Sequence, residues 1–137
     1  MLNLELAKAM CDAALKEAVV QGAQVSVAIV DQGGHLIAFQ RMDGAEIAGP
    51  VLATDKAYTA VANRIATAEL TELAKPGAEL AGLHANGNGR FVVFGGGVPL
   101  WNHEHSLVVG GIGVSGGAVA QDVACAEAAL RLWEATK

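Results

Sequence analysis

The chain has 137 residues, 53% of them hydrophobic but only 4% aromatic, and its formal net charge at pH 7 is −5. Its nine Lys and Arg residues are scattered, whereas a nucleic-acid footprint needs clustered basic residues, so we expect no nucleic-acid partner. The length suits one domain over residues 1–137. We find no signal peptide or membrane-spanning pattern and therefore expect a cytoplasmic protein that does not contact membranes.

The first half of the chain predicts a helix followed by a β-hairpin. Small and apolar residues recur at helical spacing from Leu4 to Ala18, with Asn3 suited to the N-cap and Gly22 to the C-terminal end. Residues 25–30 and 36–39 are apolar runs that flank a glycine turn, which predicts two antiparallel strands.

A second helical segment is predicted from Pro50 to about Ala74, because proline suits a first helical turn and Pro76-Gly77 is a stop signal. Thr67 is suited to cap a second helical piece, so we expect either a kink or two helices here. Residues 77–89 contain four glycines and two asparagines and predict an irregular loop.

The second half of the chain predicts further strands and a final helix. Phe91–Phe94 and Ser106–Val109 are β-branched or aromatic runs next to glycines, which favours strands. An apolar stripe from Val119 to Trp133 has helical spacing. The resulting order α-β-β-α-β-β-β-α favours an α+β domain with a mainly antiparallel sheet flanked by helices.

Gly111, Gly113 and Gly116 form a G-x-G-x-x-G pattern, but we reject a dinucleotide site because only one helix follows and no strand completes the βαβ unit. The alternative is that these small residues allow close packing against a neighbour. Cys11 and Cys125 fall on predicted helices among alanines, so we interpret them as buried reduced thiols.

Several blocks of the sequence carry a family resemblance: Val27–Asp31, Gly33–Leu36, Arg41–Gly44, Lys56-Ala57, Gly96–Pro99, Val109–Gly117 and Gln121-Asp122. Together they resemble the GlcG/HbpS-like family, also called haem-degrading or DUF336, which includes the C-terminal domain of PduO-type proteins. The resemblance implies a profilin-like α/β/α sandwich around a five-stranded antiparallel sheet. It also implies homo-oligomers of dimer size or larger, and haem binding in some members.

Two cations lie inside these blocks, and each has a structural alternative. Arg41 and Lys56, with the backbone donors of Gly95, Gly96 and Gly97, form a candidate site for a carboxylate or a haem propionate. The alternative is that Arg41 forms an ion pair with a nearby carboxylate, Asp43 or Asp31, and ties the hairpin to the second helix.

The remaining candidates are carboxylate and imidazole groups. Asp31 and His35 are the candidate catalytic residues, although Asp31 also suits the capping of local N–H groups before the glycine turn. His35 is alternatively an axial haem ligand or an exposed side chain. His103 and His105 are candidate ligand-binding residues, because on an extended strand both would face one side; a solvated turn is the alternative, and we expect no metal site.

Two functions remain open on this basis. The first is a protein that binds a small anionic ligand, with haem as the possible cofactor. The second is a cofactor-independent enzyme that acts on a small oxo- or hydroxy-acid in a catabolic pathway, by proton transfer, isomerisation or hydration. It would use Arg41 and Lys56 as an anion clamp, Asp31 or a histidine as the base and the Gly95–Gly97 backbone to stabilise an oxyanion.

Overall fold

The computed structural model describes residues 1–136, which form one antiparallel sheet between two helical layers. Two single 3₁₀ turns, at Leu83–Ala85 and Gly87–Gly89, interrupt the loop that was predicted to be irregular. The other elements are α1 Leu4–Gln21, β1 Ser26–Asp31, β2 Leu36–Arg41, α2 Gly49–Asn63, α3 Thr67–Leu73, β3 Gly97–Trp101, β4 Val108–Ser115 and α4 Val119–Ala135.

The sheet has the order β2-β1-β4-β3, and all three strand pairs are antiparallel. Alternate residues of β1 face opposite layers, because successive side chains of a strand point to opposite sides. Val27 and Ile29 join the main core with the small residues of α1 and α4, whereas Val30 packs with Ala57 and Val61 of α2. This arrangement confirms the α+β class with helices flanking an antiparallel sheet.

The ends of α1 follow the sequence signals. The Asn3 side chain accepts a hydrogen bond from the Leu6 N–H at 2.8 Å, and Gly22 adopts a left-handed conformation with φ of 71°. The hairpin and the final helix are likewise confirmed. Cys11 and Cys125 are free and buried, as predicted.

The prediction of a five-stranded sheet is wrong. The described residues form a sheet of four strands, and Phe91–Phe94 is not one of them. Helix side chains bind the backbone of this run instead. The Val92 N–H donates to the Thr59 hydroxyl at 3.0 Å, and the Thr71 hydroxyl donates to the Val93 carbonyl at 2.8 Å. Such bonds satisfy the backbone groups that would otherwise pair with a neighbouring strand.

The second helical segment does divide into two helices, α2 and α3, but Thr67 does not cap the second one. Ala66 occupies the N-cap position, and no side chain caps the helix. The Thr67 hydroxyl instead accepts a hydrogen bond from the Gly97 N–H at 2.9 Å. Thr67 therefore joins α3 to the start of β3.

The glycines of β4 allow α2 to lie directly on the sheet. A Cβ atom on Gly113 would overlap the carbonyl oxygen of Ala53, and one on Gly111 would lie 2.7 Å from the carbonyl oxygen of Ala57. Both obstacles are helix backbone, which cannot rotate away as a side chain can. The structure thus confirms that Gly111 and Gly113 allow close packing against a neighbouring element.

Candidate functional site

A buried ion pair joins α2 to α4. The Lys56 side chain is fully buried, and its Nζ lies 3.2 Å from Asp122 Oδ2, whose side chain is 3% exposed. The same Nζ donates a hydrogen bond of 2.9 Å to the carbonyl oxygen of Val114. Asp122 is fixed in turn, because its Oδ1 accepts a hydrogen bond of 2.9 Å from the Gly117 N–H. The pair therefore links α2, β4 and the start of α4.

The glycine run Gly95–Gly97 packs next to Lys56 and the start of α4. A Cβ atom on Gly96 would lie 2.8 Å from Lys56 Nζ, and one on Gly97 would overlap the Lys56 carbonyl. On Gly95 it would lie 2.5 Å from a methyl group of Val123. The structure thus brings Lys56 together with Gly96 and Gly97, which the sequence had left open, but the Gly97 N–H already donates to Thr67. The run makes room for the buried lysine.

Burial dominates the electrostatics of the pair. Loss of water around the amine lowers the pKa of Lys56, although the Asp122 and Glu46 carboxylates favour its charged form. Burial also raises the pKa of Asp122, although Lys56 and the Gly117 N–H favour the carboxylate. Both shifts move the groups toward their neutral forms, since desolvation disfavours charge of either sign.

Arg41 does not join this pair. It is exposed at the end of β2, where it stands opposite Ser26 of β1, and Asp31 lies at the other end of β1. Within residues 1–136 the Arg41 guanidinium forms no ion pair, so the predicted alternative of pairing with Asp43 or Asp31 is not observed. Arg41 and Asp31 are thus separated by the length of a strand.

A cleft of about 580 Å³ lies at the end of the sheet opposite Arg41, and we name it the Asp31/His103 cleft. It combines apolar walls with a few polar groups, which is typical of ligand pockets. Its lining residues are Met1, Leu2, Asp31, Gln32, Ile37, Asn102, His103, Val109, Trp133 and Thr136.

Asp31 has a local structural role at the edge of this cleft. Its Oδ1 accepts hydrogen bonds of 2.9 Å from the backbone N–H groups of Gly33 and His35, which is the capping arrangement that the sequence suggested. The His35 side chain is exposed beside Gly33 and does not line the cleft. Asp31 therefore reaches the cleft while it holds the hairpin turn.

His103 and His105 point to different places. Both lie in the turn between β3 and β4, where Asn102 Oδ1 accepts hydrogen bonds from the backbone N–H groups of Ser106 and Leu107. His103 lines the cleft, whereas the His105 ring stacks on Trp101, with centroids 4.3 Å apart. Over residues 1–136 no three His, Cys, Asp or Glu side chains are grouped so as to hold a metal ion.

Asp122 was not among the site residues predicted from the sequence, although its position in α4 carries a signal for burial. It lies three residues after Val119 and four before Ala126, which places it beside the apolar stripe of α4. A carboxylate at a buried position needs a partner. Lys56, in another block of the same family resemblance, is the cation that meets it.

The comparisons with known proteins agree on one family. Residues 2–131 match the model of the haem-degrading HbpS-like proteins, so the chain belongs to the HbpS-like family. It is 40% identical over 129 residues to an uncharacterised 15.0 kDa protein of the dhaT-dhaS intergenic region of Citrobacter freundii, covering 94% of this chain and 89% of that one. It is also 45% identical over 106 residues to the corrinoid adenosyltransferase PduO of the same organism, covering 77% of this chain. The match spans only 31% of PduO, so the likeness concerns one part of that protein.

Two solved structures show the same fold. The Klebsiella pneumoniae protein ORFY superposes with a TM-score of 0.93 at 35% identity, covering 99% of this chain and 92% of that one. The complex of PduOC with haem superposes with a TM-score of 0.90 at 38% identity, covering 96% of this chain and 94% of that one.

Among residues 1–136, no helix has both the length and the apolar character that crossing a membrane requires.

Proposed function

We propose that this protein binds a small ligand, with haem as the leading candidate, in the Asp31/His103 cleft. The observation that carries the proposal is the chemistry of the cleft: an imidazole beside walls that include Leu2, Val109 and Trp133. Haem is a largely apolar ring whose iron takes a histidine as axial ligand. Membership of the HbpS-like family and the likeness to a haem complex of PduOC support this choice.

The predicted site residues have different parts in this proposal. His103 is the candidate axial ligand, and Asn102 and Gln32 supply polar contacts at the cleft. Asp31 would repel propionates, so we expect these groups to face solvent away from it. Arg41, exposed at the opposite end of the sheet, stays a predicted anion contact outside this cleft, whereas the Lys56 amine and the Gly97 N–H are already hydrogen-bonded within the protein.

Haem titration followed by absorption spectroscopy tests the proposal. The expected result is a saturable Soret shift that His103→Ala abolishes. His105→Ala is the matched control, because it removes an imidazole two residues away that stacks on Trp101, and it should keep the shift. His35→Ala should also keep it, because His35 lies outside the cleft. Binding that survives His103→Ala but is lost in either control would contradict the assigned cleft.

A cofactor-independent enzyme is the second candidate, because Asp31 and His103 line the same cleft and could act as base and acid. In that case the purified protein should carry a colourless carboxylic acid and no haem band, as judged by mass spectrometry and absorption. Once a substrate is identified, His103→Ala should lower turnover by about 10²- to 10⁴-fold. Unchanged turnover would rule out this role for His103.

We propose that the protein forms a homo-oligomer. Large apolar side chains are exposed to solvent in two places. On α1, Val19 and Val20 are 71% and 76% exposed, and near the start of α2, Ile47 and Val51 are 89% and 65% exposed. Such side chains are candidates for burial between copies. Light scattering should give at least the dimer mass at micromolar concentration, and a monomer mass would contradict the proposal.

A further inference from the structure

A second cleft lies at the Arg41 end of the sheet, far from the Asp31/His103 cleft. Its volume is about 550 Å³, and it opens between the end of α1, the segment after β2 and the start of α4. Among residues 1–136, Glu46 is the one charged side chain that lines it, so we name it the Glu46 cleft. The other lining residues are Val19, Gly22, Ala23, Gln24, Met42, Gly44, Gly116, Gly117 and Gln121.

The groups around the Glu46 cleft favour a cation. The C-terminal end of α1 borders the cleft at Gly22, and the carboxyl end of a helix carries partial negative charge. The start of α4 has the opposite polarity, but the N–H groups of Gly117 and Ala118 already donate to side chains of α4 itself. Glu46 adds a full negative charge. The cleft is therefore suited to a cationic group such as a guanidinium.

A matching cation lies beside the cleft on the same chain. Arg41 directly precedes Met42, which lines the cleft, but the Arg41 side chain is exposed and does not line it. Within residues 1–136 neither Arg41 nor Glu46 forms an ion pair, and Glu46 acts on the buried Lys56 amine only through space. Two opposite charges thus lie five positions apart at one end of the domain, and neither neutralises the other.

Exposed apolar side chains surround these two charges. Ile47 directly follows Glu46, and Val19 lines the cleft; both are exposed. Apolar contacts that exclude water strengthen an ion pair between them, because the local dielectric constant falls. A two-fold axis between two copies brings Arg41 of each to Glu46 of the other, since an isologous interface repeats every contact. This end of the domain is therefore complementary to itself.

We propose that a second copy of this chain docks on this end of the domain about a two-fold axis, with Arg41 of each copy in the Glu46 cleft of the other. The inference rests on the homo-oligomer proposed above and assigns its contact surface. The Asp31/His103 cleft stays open to a ligand in this dimer, because it lies at the far end of the sheet.

Charge reversal tests the proposal on the full chain. Sedimentation equilibrium at one salt concentration gives the dimer Kd of the wild type, of Arg41→Glu, of Glu46→Arg and of the double variant that exchanges the two charges. Each single variant should raise the Kd about 10²-fold, because two symmetric ion pairs are lost and each corresponds to about a tenfold change. The double variant restores both pairs and should return the Kd to within about tenfold of the wild type.

Arg131→Glu is the matched control for the change of charge. Arg131 is exposed on α4, two residues before Trp133, which lines the cleft at the other end of the sheet. This variant should leave the Kd unchanged. Rescue of Arg41→Glu by Asp43→Arg, but not by Glu46→Arg, would overturn the assignment of the cleft.

Cysteine pairing measures the same proximity without relying on charge. Arg41→Cys and Glu46→Cys proteins are mixed under reducing conditions, left to exchange subunits and then oxidised gently. Non-reducing electrophoresis should show more disulfide-linked dimer in the mixture than in either protein alone, because the two new thiols meet only across the interface. Cys11 and Cys125 are buried and do not compete. No excess of linked dimer in the mixture would overturn the interface even if a charge variant does not fold.

The outcomes separate this interface from the homo-oligomer itself. A wild type at monomer mass would refute both proposals. An oligomer whose Arg41→Glu and Glu46→Arg variants dissociate no more than Arg131→Glu would refute this interface alone. Saturable binding of agmatine, a small guanidinium compound, to a monomeric wild type would assign the Glu46 cleft to a free cation in place of a second copy.

Discussion

Separating Lys56 from Asp122 should destabilise the fold more than any change to a surface ion pair. In Lys56→Met the buried Asp122 carboxylate loses its cation, and in Asp122→Asn the buried ammonium loses its counterion while the amide oxygen can still accept the Gly117 N–H. Removing one partner of a buried pair raises the free energy of the folded state by about 3–5 kcal/mol. Because the side chains are 0% and 3% exposed, solvent screening does not reduce this figure.

The loss is large relative to the total free energy of unfolding of a small domain, about 5–15 kcal/mol. It corresponds to a fall in Tm of roughly 10–20 °C for a chain of this length. In the double variant Lys56→Met/Asp122→Asn neither charge remains, so the combined loss should be smaller than the sum by about 0.5–3 kcal/mol.

Urea denaturation of all three variants at one pH and one protein concentration provides the measurement. Lys75→Met is the matched control, because Lys75 and Glu72 form an ion pair of 2.6 Å whose side chains are 57% and 79% exposed. That variant should change the free energy of unfolding by less than about 1 kcal/mol. Losses no larger than this in Lys56→Met and Asp122→Asn would show that the buried pair does not stabilise the fold.

Three further predictions concern packing, capping and ionisation. Gly113→Ala should lower the free energy of unfolding by about 1–3 kcal/mol or more, because the new methyl group meets the Ala53 backbone carbonyl; unchanged urea denaturation would contradict the close contact of α2 with β4. Asn3→Ala should lower the free energy of unfolding by about 1 kcal/mol, because the hydrogen bond from the Leu6 N–H to the Asn3 side chain is lost. Asn3→Asp should preserve that free energy, because a carboxylate oxygen can accept the same hydrogen bond; urea denaturation measures both. Burial raises the pKa of Cys11 to about 12 and of Cys125 to about 11, from 9.0. As the pH rises above 9 the unfolded thiols lose protons and the folded ones keep them, so the free energy of unfolding should fall, and replacing both cysteines by Ala should flatten that dependence.

Local signals in the sequence determined most of the elements. Asn3 and Gly22 fixed the ends of α1, because a side-chain cap and a left-handed glycine act over a single turn of backbone. The hairpin and α4 followed from apolar spacing in the same way. The family blocks identified the HbpS-like family correctly and contained both members of the buried pair, Lys56 and Asp122.

Tertiary contacts decided the rest, because they depend on groups far apart in the chain. Phe91–Phe94 has strand-forming residues, yet Thr59 and Thr71 bind its backbone, and no local pattern reveals hydroxyl groups supplied by two helices. The Asp122 carboxylate meets an amine 66 positions earlier, so the pair exists only when α2 and α4 meet the end of β4.

The positions of the candidate site residues depended on the same long-range geometry. Arg41 and Asp31 each end a strand of one hairpin, yet antiparallel pairing puts them at opposite ends of the sheet. His103 and His105 were expected to face one side if extended, but a turn sends one into the cleft and the other onto Trp101. Sequence spacing fixes the direction of a side chain only within a regular element, and in a turn the packing of the neighbouring strands decides it.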